Sequence, residues 1–233
     1  NLSYIFGSLI FIALAGGVIW YFYLKPSSDE EKTSTIAKSV RDGIILVDSN
    51  KGFKVSHLTK EQLQKTIRNE VVNGEISKNT ATNYFFINDL SDSIKVLDSA
   101  DFFSKIESHM PGTLFRTLDP KFMLGIIDTN KKNPFIIIKI TNYEAGLAGM
   151  VGWEEKMLDD FYLMWNIDVS GERSSLLGKT FQDTVIKNKD ARVLVDSEGA
   201  IVIMYVFLND NTIVISTTEE IIPEIMNRFD AGK

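Results

Sequence analysis

Four carboxylates crowd one short stretch of the chain: Glu154, Glu155, Asp159 and Asp160. On a helix, Glu155 and Asp159 fall at i, i+4 and share a face, where two carboxylates could chelate a cation or divide acid and base duties. Lys156 interleaves with them, while Trp153, Met157, Phe161 and Trp165 mark much of the opposite side. That is the pattern of a solvated outer face above a core-facing stripe. No EF-hand loop or Glu-x-x-His element accompanies the acids, so no metal is expected. The histidines, His57 and His109, lack a second ligand at metal spacing. Each is expected at a helix end as a partly exposed polar residue.

Other chemistries fail on spacing. Gly171 and Ser174 do not form the G-x-S-x-G turn that exposes a serine nucleophile. Leu177-Gly178-Lys179-Thr180 ends like a phosphate-binding loop, but the position that should hold its first glycine is Arg173. Gly146, Gly149 and Gly152 follow no strand in the register of a dinucleotide fingerprint. Each costs a helix about 1 kcal/mol relative to alanine, an expense expected to be offset by close backbone packing. Asp183, Asp190, Asp196 and Asp210 stand at strand or turn positions with local duties. Cysteine is absent, which excludes disulfides and thiolate chemistry. A net charge of -6 without a basic cluster gives nucleic acid no electrostatic purchase. No catalytic residue and no cofactor is expected.

The elements that position these residues are legible from periodicity. Ile44–Val47 and Phe53–Val55, around the turn-type residues Asp48–Gly52, predict a hairpin. Thr59 and Gln62 form a capping box ahead of the stripe Leu63, Ile67, Val71, which Asn73-Gly74 ends. Strands are predicted at 84–87 and 94–97, and a short helix capped by Ser99 carries Phe102, Phe103 and Ile106 inward. Residues 122–127 and 135–140 predict a second hairpin, followed by a long helix capped by Asn142. Four strands, at 181–187, 192–195, 200–208 and 212–216, then read as an antiparallel meander. A last helix is predicted from Thr217 or Thr218 with the stripe Ile221, Ile225, Phe229.

Ahead of all this, Leu2 to Leu24 carries no charge. A helix of that length crosses a hydrocarbon core of roughly 30 Å. Trp20, Tyr21 and Tyr23, with Lys25 beyond them, mark a membrane interface. Ala13, Gly16 and Gly17 offer a small-residue face for helix–helix contact and self-association. The expected organisation is a transmembrane helix over 1–25, a linker over 26–41 and a domain over 42–233, with a subdivision near 98–120. The fold class is α+β, an antiparallel sheet with helices on one face, with a ferredoxin-like elaboration as the candidate arrangement.

Four blocks, Phe122–Gly125, Gly149–Glu154, Asn188–Leu194 and Ile213–Thr218, resemble those of uncharacterised single-span proteins of small-genome candidate-phylum bacteria. The resemblance implies a prokaryotic envelope protein whose domain lies outside the cytoplasm, and it carries over no catalytic residue. In architecture the chain is also similar to the inner-membrane platform proteins of pilus and secretion machines. The expected function is protein binding or scaffolding within an envelope assembly, with the bilayer and other envelope proteins as partners. A ligand-binding sensor and a hydrolase built on Glu155 and Asp159 are the alternatives.

Overall fold

Strands buried on both faces read as continuous apolar runs, because alternate residues serve different cores. Phe135–Ile138 and Ile213–Ile215 are such runs. Leu124, Ile126, Ile136, Ile138, Tyr205, Ile213 and Ile215 join one core, and Met123, Ile127, Phe135, Ile137, Met204, Val206 and Val214 join a second. The computed structural model describes residues 43–90, 93–169, 176 and 179–232. The apolar segment 2–24, with Trp20, Tyr21, Tyr23, Lys25, Ala13, Gly16 and Gly17, lies outside these residues, as does the linker 26–41. Among the described residues no helix is long and apolar enough to cross a membrane.

The nine-stranded sheet has the order β1-β2-β4-β5-β9-β8-β7-β6, with β3 paired to β2. Its strands are β1 (Ser49–Lys54), β2 (Ala81–Leu90), β3 (Ser93–Val96), β4 (Leu118–Asp128), β5 (Lys132–Ile140), β6 (Gln182–Ile186), β7 (Lys189–Val195), β8 (Ile201–Asn209) and β9 (Thr212–Ser216). The helices are α1 (Lys60–Asn73), α2 (Ser99–Lys105), α3 (Gly112–Phe115), α4 (Tyr143–Phe161) and α5 (Ile222–Ala231). Helices α1 to α4 cover one face, and α5 with residues 44–47 covers the other. The expectation of helices on one face is thereby corrected. The apolar runs of β4, β5 and β9 need cover on both sides.

Two further expectations change. Residues 44–55 form no hairpin: β1 pairs parallel with β2, and α1 makes the crossover between them. The polar residues Ser49 to Gly52 belong to an exposed edge strand rather than a turn. Because β1 and β2 are direct neighbours, the sheet is mixed rather than antiparallel. It also lacks the inserted strand of a ferredoxin-like split βαβ unit. The four-strand meander stands as expected, from β6 through to β9.

Helix ends follow local chemistry. The Thr59–Gln62 capping box forms at α1. Asp98, not Ser99, caps α2, in a reciprocal box with Asp101. Pro223 sits in the first turn of α5, where its missing N–H costs nothing, so that helix starts later than Thr218. Residues 98–120 lie within the main fold, since Phe102, Phe103 and Leu114 share a core with Trp153 and Met150.

Candidate functional site

Helix α4 separates its four carboxylates by face. Glu155 and Asp159 stay on the outer face, where Lys156 Nζ lies 3.9 Å from Asp159 Oδ2. They border a groove of about 560 Å³ that also touches Glu154, Lys179 and Phe181. Glu154 and Asp160 turn inward, and each is held by partners distant in sequence. The two carboxylates carried inward are therefore Glu154 and Asp160 rather than the i, i+4 pair.

Asp160 is 3% exposed. Its Oδ2 accepts from the Trp153 indole N–H at 2.7 Å and from the His109 backbone N–H at 2.8 Å. His109 Nδ1 lies 2.7 Å from Oδ1. A buried carboxylate needs donors around it, and here they tie the turn after α2 to α4. His109 is thus a staple with an exposed outer edge, while His57 is exposed in the turn before α1. The glycines work on the same side: a Cβ on Gly149 would lie 2.5 Å from Leu114 Cβ and 2.9 Å from Leu114 Cα. α4 and α3 touch backbone to backbone there, the close packing that the glycine spacing implied.

Glu154 faces the other way, towards the meander. Arg192 on β7 donates through Nε to Glu154 Oε1 at 2.5 Å and through Nη2 to Oε2 at 3.0 Å. The Tyr205 hydroxyl on β8 donates to the same Oε1 at 2.7 Å. Arg192 Nη1 reaches out to Asp183 Oδ1 on β6 at 2.5 Å. A bidentate guanidinium fixes orientation as well as charge. Glu154 is the main cause that raises the Arg192 pKa. Burial, and then the bond to Glu154, holds the Tyr205 phenol well above the usual tyrosine range. The network runs from the helix through two inner strands to the edge strand, and it holds that edge in place.

Among the described residues nothing pairs with the outer side of that edge. β6 is the terminal strand of the sheet. A two-residue turn, Lys187 and Asn188 with φ of 51° and 59°, joins it to β7. This is the turn that pairs Ile186 with Lys189 by hydrogen bonds. Alternation then aims the backbone groups of Asp183 and Val185 outward, away from β7. Val185 is 65% exposed. The side chains of Asp183 and Val185 point to the α4 face, because Ile186 beside them packs into the second core.

On that face α4 stops short of the edge. Tyr143, Leu147 and Val151 follow at i, i+4, i+8 along the helix, and Tyr143 and Val151 are exposed. Tyr143 and Leu147 form one wall of a groove of about 410 Å³ whose other residues include Asp183, Val185, Asp190, Arg192, Tyr205 and Phe207. An outward-facing strand edge beside an apolar trough under a helix is the geometry in which an extended peptide adds to a sheet and drops alternate side chains into the trough.

Among the described residues no group of three or more metal-ligating side chains comes together. Searches of protein families, of curated proteins and of solved structures found no match for this chain. Sequence reasoning assigned Asp183 and Asp190 to local duties and left Arg192 and Tyr205 unmarked. The one available signal was Val185, an apolar residue that shares a strand face with Asp183 rather than with Ile186.

Proposed function

We propose that the folded unit is a protein-binding module that accepts an extended segment of a partner as an added strand on β6. Carried by the apolar segment 2–24 as a membrane anchor, it would act as a scaffolding component of a prokaryotic envelope assembly, with the domain outside the cytoplasm. The main support is the outward edge of β6 beside the trough walled by Tyr143 and Leu147. Exposed strand edges are normally blunted, because unpaired N–H and C=O groups invite association. An edge without a partner strand among the described residues, with the apolar Val185 exposed on it and its neighbours clamped by an ion-pair network, fits a surface kept for docking. Backbone bonds would supply affinity, and the trough would supply side-chain selection.

The test uses the 233-residue chain in its membrane with a photo-cross-linking residue at Gln182. Adducts should map to one contiguous segment of a partner. They should vanish with Val185→Pro, which removes an outward N–H while leaving the β6–β7 ladder intact. Adducts that persist in the proline variant, or that form equally from a cross-linker at Lys54 on β1, would overturn strand addition at β6.

A further inference from the structure

We infer that the segment accepted by β6 is a basic one, with a cationic and an apolar side chain two residues apart on the face towards α4; this rests on the strand-addition reading above. The face that an added strand would meet has a fixed charge pattern. Asp183 and Val185 of β6 stand side by side along the strand, and β7 sets Arg192 opposite Asp183 and Asp190 opposite Val185. The only cation on this face, among the described residues of the two strands, is Arg192. It is already claimed twice, by the partly buried Glu154 and by Asp183. Two carboxylates therefore share one guanidinium, and a third acid on this face, Asp190, is exposed. Lys189 takes the opposite face by alternation, and Lys187 sits in the turn.

An incoming strand lies about 4.8 Å outside β6. Its residue beside Val185 extends the apolar patch towards Tyr143. The residue two positions away lies beside Asp183, whose side chain is 88% exposed. A lysine or arginine there meets an acid whose single partner is shared, and its long stem reaches across Val185 towards Asp190. An acidic residue at that place would face Asp183 directly, and like charges opposite one another in a sheet are destabilising. The ledge thus selects by repulsion as well as by attraction.

The probes are two labelled heptapeptides, Ser-Lys-Thr-Val-Thr-Lys-Ser and its counterpart with both lysines replaced by glutamate. The palindromic placement presents Lys and Val to one face in either strand direction. Binding to the 233-residue chain is read by fluorescence anisotropy. The basic peptide should bind at least about tenfold tighter than the acidic one at low salt, a preference that shrinks as salt screens exposed charges. Asp183→Asn with Asp190→Asn should bring the two affinities together while Val185→Pro abolishes both.

Equal affinities in the unaltered chain, or tighter binding of the acidic peptide, would overturn the charge selection and leave strand addition standing. Failure of both peptides to bind would sink the strand-addition reading and this inference with it. Self-association through β6 that the basic peptide does not displace would assign the edge to a second copy of the chain and overturn the proposal.

Discussion

The two edges of the sheet are built from the same three parts in a different order. Behind β1 lie Tyr84, Glu70 and Lys51; behind β6 lie Tyr205, Glu154 and Arg192. In each set a buried tyrosine lies beside a carboxylate on a covering helix, and the carboxylate is bonded to a cation. At β1 the cation belongs to the edge strand itself. Lys51 Nζ lies 2.8 Å from both oxygens of Glu70, and Lys54 is bonded to Asp89 at 2.8 Å. Two lysines on a terminal strand discourage pairing with another chain. At β6 the cation stands one strand inside, so on the α4 face the edge shows Asp183 and the exposed Val185. One edge is guarded, and the other is supported from within and, among the described residues, left unpaired.

The largest expected effects come from removing each carboxylate. Glu154→Ala leaves a partly buried guanidinium and an unpaired phenol, and should cost about 3 kcal/mol in denaturant unfolding. Glu70→Ala should cost less, about 1–2 kcal/mol, because Lys51 is half exposed and returns to water. Equal costs would break the distinction between an internally supported edge and a guarded one.

Gly149→Ala comes next. Its new methyl group meets the backbone of α3 and must push α4 aside, at a cost of about 1–3 kcal/mol. Gly152→Ala, whose Cβ would meet only Pro111 Cγ at 3.4 Å, should instead stabilise by about 0.5–1 kcal/mol. Thermal unfolding of the two variants separates close packing from mere helix propensity. Only Gly149→Ala should also weaken peptide binding, because it moves the wall of the trough.

The two tyrosines give a pH test. Burial is the first cause that raises both phenols, with the Glu70 or Glu154 carboxylate adding to it. A phenol with a raised folded pKa holds its proton more tightly in the fold than in the unfolded chain. Its contribution is therefore fully present below about pH 10, the unfolded value, and is lost as pH rises from there towards the folded pKa. Alkaline titration by absorbance should leave Tyr84 and Tyr205 protonated after exposed tyrosines ionise, until unfolding releases both together. Early titration of either would remove its edge from the comparison.

The smallest effect on the fold is Val185→Lys, which gives β6 the guard that β1 carries. Stability should change by less than about 0.5 kcal/mol, as for other exposed surface positions. Peptide binding should fall at least tenfold when read by anisotropy.

Much of the frame was legible in residue patterns, and the site was not. The capping box at Thr59, the meander from Gln182 to Ser216 and the packing role of Gly149 all follow from local spacing. Helix cover on both faces was also written in Phe135–Ile140, a run too continuous for a strand with one wet face. The position of β1 was not legible, because Asp48–Gly52 has turn chemistry and only the α1 crossover makes it an edge. The clamp joins Glu154 to Arg192 and Tyr205, which no local periodicity links. An edge strand is defined by what fails to pair with it, a property of the whole sheet order rather than of Gln182–Ile186.

Amide hydrogen exchange of the 233-residue chain, with and without the basic heptapeptide, tests the central claim most directly. The outward amides of Asp183 and Val185 should exchange freely alone and become protected on binding, with the amides of β1 unchanged. Protection at β1, or peptide binding that leaves Asp183 and Val185 exchanging freely, would contradict the assignment of β6 as the receiving edge.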